Sequence, residues 1–96
     1  MRLVKEGRAK GVFTVINDRG LHTRPSTELV KCAVGFKSEV YLTYQKQVVN
    51  AKSLLGILML AAPKGARINV LANGEDSEQA VHSILALANE QFYMQY

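Results

Sequence analysis

GVFTVINDRGLHTRPSTELVKCAVG, residues 11–35, changes its periodicity halfway along, and that change sets the fold. Over residues 12–17 a mostly apolar, β-rich run alternates Phe13 and Val15 with Val12, Thr14 and Ile16, the period of two of a strand, and ends in the polar group Asn17, Asp18, Arg19, Gly20. From Thr23 the spacing becomes helical: Thr27, Val30 and Val34 share a face, with Leu29, Ala33 and Phe36 adjacent. Pro25 fits only a first helical turn, where its missing N–H would have had no intrahelical partner, so the helix begins beside His22. Gly35 falls where a C-terminal cap is expected.

Working outward, residues 38–44 alternate Val40, Leu42 and Tyr44 with Glu39, Tyr41 and Thr43, and a second short run follows at 47–49. This reads as a hairpin. Its connection Gln45-Lys46 offers neither Asn nor Gly for positive φ, which argues for a loop longer than two residues. Ser53 suits an N-cap for a short helix over 54–60, and Ala62-Pro63-Lys64-Gly65 suits a type I turn with Pro second and Gly fourth. Ile68 and Val70 mark a fourth strand over 66–72, and Asn73-Gly74 turns the chain. Asp76 and Gln79 have capping-box spacing, and Val81, Ile84, Leu85, Ala88 and Phe92 form the stripe of a last helix. The order is βαββαβα. The expected class is α+β: a mainly antiparallel four-stranded sheet with three helices on one face.

Composition narrows the function. Ninety-six residues, 48% apolar, make one domain with a core but leave little room for a deep cleft. Much of the net charge of +4 is local: residues 1–10 hold Arg2, Lys5, Arg8 and Lys10 against Glu6, whereas residues 11–96 are nearly balanced. The expected organisation is a basic extension, 1–10, on a domain of 11–96. A near-neutral domain without an aromatic platform argues against nucleic acid. The lone Cys32 cannot form an internal disulfide and points to a reducing compartment, and no run approaches a membrane span, so a cytoplasmic protein is expected.

Residues 20–25 bring together three things useful for phosphoryl transfer. The helix start offers N–H donors and the positive end of a dipole; Arg24 adds a guanidinium fork; His22 is a side chain with a ring nitrogen able to attack phosphorus. Each alone has an ordinary reading, a surface histidine or a solvated arginine, and the combination carries the argument. His82 flanks the last helix's stripe and is read as solvent-facing.

The segment Gly20-Leu21-His22-Thr23-Arg24-Pro25 resembles the active-site motif of the HPr family of histidine-containing phosphocarriers. Phe36, Ser38 and Glu39, then Val49-Asn50-Ala51-Lys52-Ser53-Leu54, Gly65 and Gly74-Glu75-Asp76 follow at the family's spacing, so the similarity spans about residues 11–92. The resemblance implies an open-faced β-sandwich with sheet order 1-4-2-3. It implies a covalent carrier rather than an enzyme: His22 takes a phosphoryl group on Nδ1 from phosphorylated Enzyme I and gives it to Enzyme II A domains, with Arg24 balancing charge and the Thr23 and Arg24 N–H groups holding the phosphoryl oxygens. It implies a monomer with neither cofactor nor metal. Ser53 resembles the serine modified by the HPr kinase/phosphorylase, and Leu54, Leu55, Leu58 and Met59 would form the surface that meets successive partners.

The sequence departs from the family's pattern at Arg19, where a small polar residue is usual, at Gln45-Lys46, where a Gly-containing turn is usual, and in residues 1–10. Tyr93 and Tyr96 have no assigned role. Two other functions compete: a regulatory phosphorelay carrier without sugar transport, and an interaction module controlled by Ser53 phosphorylation.

Overall fold

The computed structural model describes residues 2–5 and 7–94; Tyr96 lies outside them. Strands β1 (Arg2–Lys5), β2 (Arg8–Thr14), β3 (Glu39–Tyr44), β4 (Gln47–Asn50) and β5 (Arg67–Asn73) form one sheet in the order β1-β2-β5-β3-β4, every neighbouring pair antiparallel. Helices α1 (Thr23–Val34), α2 (Leu54–Met59) and α3 (Ser77–Asn89) follow β2, β4 and β5. Without β1, the order β2-β5-β3-β4 is the expected 1-4-2-3 arrangement. The fifth strand, β1, pairs Arg2 with Lys10 and Leu3 with Ala9 on the outer edge of β2.

Alternation along the strands builds the core. Phe13 pairs with Ile68, and Leu42 lies between Val49 and Val70; all but the half-buried Val49 are sealed beneath the helices. From α3 come Val81, Ile84, Leu87 and Ala88. Phe92 lies just beyond α3, fully buried, its ring edge-on to Phe13 at 5.8 Å between centroids.

Tertiary structure overrides several local expectations. The strand expected over 12–17 is β2 and runs Arg8–Thr14 instead, because Ala9 continues the inward face and the ladder with β5 extends to Arg8 opposite Asn73. Val15 instead braces a turn, its N–H on the Ala66 carbonyl and its carbonyl accepting from Gly65. That turn is closed by Ala66 N–H on Pro63 O, which puts Pro63 first and Gly65, at φ +91°, third, so it is not the type I turn over 62–65. The buried face of α1 is Ser26, Leu29 and Ala33, while Val34 is exposed. Gly35 keeps a right-handed φ of −72°, so no left-handed cap ends α1. The hairpin loop is only Gln45-Lys46, with Tyr44 opposite Gln47 and Gln45 held at φ 56°.

The capping box at Asp76 is absent: its side chain makes no cap bond to α3. The carboxylate instead accepts from the N–H groups of Lys37 and Ser38, at 2.8 and 2.9 Å, and from the Ser38 hydroxyl. It thereby ties the start of β3 to the start of α3.

Candidate functional site

The site is a short loop braced at both ends. Asn17 is fully buried and its Nδ2 donates to the Gln91 carbonyl at 2.9 Å. The chain then turns through Asp18 and Arg19, closed by Gly20 N–H on Asn17 O, and Leu21 N–H donates to the Ala62 carbonyl at 2.9 Å. Gly20, at φ +70°, makes this approach possible, since a Cβ there would run into the Ala62 carbonyl and lie 2.9 Å from Pro63 Cα. Buried Leu21 anchors the next step, and the Ser26 hydroxyl donates back to its carbonyl.

His22 is the N-cap of α1. Its carbonyl accepts the first helical bond, from Ser26 N–H at 3.1 Å, and its side chain makes no cap bond. Pro25 has no N–H, so Thr23 and Arg24 supply the two backbone donors ahead of Ser26. The residue is half-buried, and its Nε2 is closed off from solvent. Thr23 and Arg24 are exposed beside it.

Ser53 is the N-cap of α2, its Oγ accepting from Gly56 N–H at 3.0 Å. Among the four apolar residues assigned to docking, Leu54, Leu55 and Met59 are 37%, 69% and 63% exposed, and Leu58 is half-buried. The end of α2 leads through Leu60 and Ala61 to Ala62, whose carbonyl accepts from the N–H of Leu21, the residue before His22. His82 is exposed on α3. Burial pushes the Cys32 thiol up, which disfavours a thiolate there. Among the described residues no cluster of His, Cys, Asp or Glu is placed to hold a metal ion, and no helix is long and apolar enough to cross a membrane.

Three supports escaped the sequence reading: buried Asn17, the Ala62 carbonyl, and the Lys64–Asp18 pair at 3.1 Å beside the loop. Asn17 gave a faint signal as a polar residue ending an apolar strand. Nothing local pointed to Gln91 or Ala62 as partners.

The family model for the PTS HPr component phosphorylation site matches residues 9–90. The chain belongs to the HPr family. It is 41% identical over 83 residues to the phosphocarrier protein HPr of Neisseria meningitidis serogroup A, covering 86% of this chain and 93% of that protein. It is also 43% identical over 88 residues to the multiphosphoryl transfer protein of Haemophilus influenzae, covering 88% of this chain but only 18% of that much longer relative. In structure it is similar to HPr-C-His from Thermoanaerobacter tengcongensis, with TM-score 0.87 and 30% identity over 92% of this chain and 99% of that one. Membership in the HPr family makes the molecule a phosphoryl carrier of the phosphotransferase system, without catalysis of its own.

Proposed function

We propose that His22 accepts a phosphoryl group on Nδ1 from phosphorylated Enzyme I and donates it to Enzyme II A domains during sugar uptake, in the cytoplasm and as a monomer. The placement of His22 carries this reading: it is the N-cap residue of α1, its ring makes no cap bond, and its Nε2 is buried. The Nδ1 lone pair attacks phosphorus; a P–N bond forms as the bond from phosphorus to the donor breaks, its electron pair leaving with the donor. Delivery to the acceptor reverses the roles. A loose phosphoryl transition state asks the carrier for positioning and charge balance, not for acid–base chemistry. Thr23 and Arg24 provide both, through backbone N–H groups and the Arg24 fork.

The test is incubation with Enzyme I and radiolabelled phosphoenolpyruvate. The label is expected to be acid-labile, as phosphohistidine is, and absent from His22→Ala with the fold unchanged. Full labelling of that variant would move the acceptor elsewhere. Arg24→Lys, which keeps charge but loses the fork, is expected to transfer at a rate between wild type and Arg24→Ala.

A second role, modification of Ser53 by an HPr kinase/phosphorylase, is favoured by the partial exposure of this residue next to exposed Leu54 and Leu55. A negative charge there meets the positive helix end, so Ser53→Asp should alter stability by less than about 1 kcal/mol. Docking to Enzyme I should weaken, because the charge must be desolvated against an apolar patch. Calorimetric titration beside thermal melts separates the two effects.

A further inference from the structure

We infer that Arg19 is a second phosphoryl-binding residue, its guanidinium joining that of Arg24 around the group carried on His22. The inference rests on His22 being the acceptor. Arg19 is exposed, yet it stands on a turn fixed at both ends. Asn17 is buried and bonded to Gln91 on one side, and Gly20 and Leu21 are seated against Ala62 on the other. Three peptide links separate Arg19 from His22, so their Cα atoms are at most about 11 Å apart. That lies within the combined span of an extended arginine and a phosphorylated imidazole. The residue is thus delivered to the rim of the site by backbone already ordered, and little loop entropy remains to oppose a contact.

Charge makes the same case. Asp18 is the one acidic residue between Asn17 and Arg24, and its carboxylate is turned to Lys64 Nζ at 3.1 Å. The segment also carries one arginine three residues before His22 and another two residues after it. A phosphoryl group carries up to two negative charges and three acceptor oxygens at neutral pH. One guanidinium fork engages two of those oxygens and balances one charge. The second arginine matches what remains, and no bond to phosphorus is made or broken by it.

The experiment uses the intact protein with Enzyme I and phosphoenolpyruvate, comparing wild type, Arg19→Ala and Arg19→Lys by rate of labelling and by 31P titration of the phosphorylated form. Arg19→Ala should slow labelling about fivefold, ~1 kcal/mol at 1.36 kcal/mol per tenfold. It should also raise the midpoint at which the phosphoryl dianion takes up a proton, since the dianion has lost a cation. Arg19→Lys should restore the midpoint and part of the rate. A slowed rate with an unmoved midpoint would assign Arg19 to docking and overturn the inference, as would wild-type behaviour in both measurements. Failure of wild type to label on His22 defeats the phosphocarrier reading itself, and labelling on His22 that ignores Arg19 defeats this inference alone.

Discussion

Gly20 decides where the loop before His22 sits, and it does so by having no side chain. Its φ of +70° and its seat against Ala62 and Pro63 leave no space for a methyl group, so Gly20→Ala meets both backbone strain and a clash with main chain that cannot swing aside. A cost of about 2 kcal/mol is expected, a fall of roughly 10 °C in melting temperature for a domain of this size, together with slower labelling as the Leu21–Ala62 bond is lost. A wild-type melt would show that the loop can move as a body. Asp76 works through charge. The Ser38 hydroxyl and the N–H groups of Lys37 and Ser38 hold its carboxyl down to about 2. Because this lies below the ordinary carboxylate value, the stability it contributes is complete above about pH 4 and is lost as pH falls toward 2. Urea midpoints measured across that window should fall less steeply for Asp76→Asn than for wild type.

Elements were legible where one local force sufficed, and obscure where distant chain decided. The switch of period near Asn17, the helix start marked by Pro25 and the Ser53 cap all act within a turn or two, and all three stand in the structure. The hairpin loop did not declare itself, because the register of β3 against β5 and β4 fixes Tyr44 opposite Gln47 and leaves two residues to close the gap. Gln45 therefore adopts φ 56° against its own preference. Asp76 misled for a related reason: its spacing to Gln79 is a capping pattern, but Lys37 and Ser38 reach it first. At the C-terminus, Gln91, Phe92 and Tyr93 all take left-handed φ, which buries Phe92 against Phe13 and aims the Gln91 carbonyl at Asn17; no local pattern announces such a turn. The strain at the hairpin is testable. Gln45→Gly removes the left-handed penalty at an exposed position and should raise stability by about 0.5–1 kcal/mol, less what glycine adds to the entropy of the unfolded chain. A melting temperature a few degrees higher is expected, with labelling of His22 unaltered.

On the scale of the whole molecule, the His22 loop, the exposed apolar residues of α2 and the C-terminal turn all lie on connections outside the sheet, whose interior pairs carry the fold. Strand β1 stands apart from both. Among the described residues it borders only β2, and β2 is paired with β5 through all seven of its residues, Arg8 to Thr14. Removing residues 1–6 should therefore leave a four-stranded sheet that melts cooperatively within a few degrees of wild type and is labelled at the same rate. What changes is the edge. Without β1, the outer N–H and C=O groups of β2 face solvent, a row that a second copy can pair with. Arg8 and Lys10 stay on that edge and repel the like charges of an approaching copy, so association should be weak in dilute buffer and should strengthen as salt shortens the screening length. Sedimentation of the truncated protein at rising concentration, at low and at high salt, reads this directly. Self-association only at high salt is the expected result, and a monomer under every condition would mean that β1 is dispensable as an edge cover.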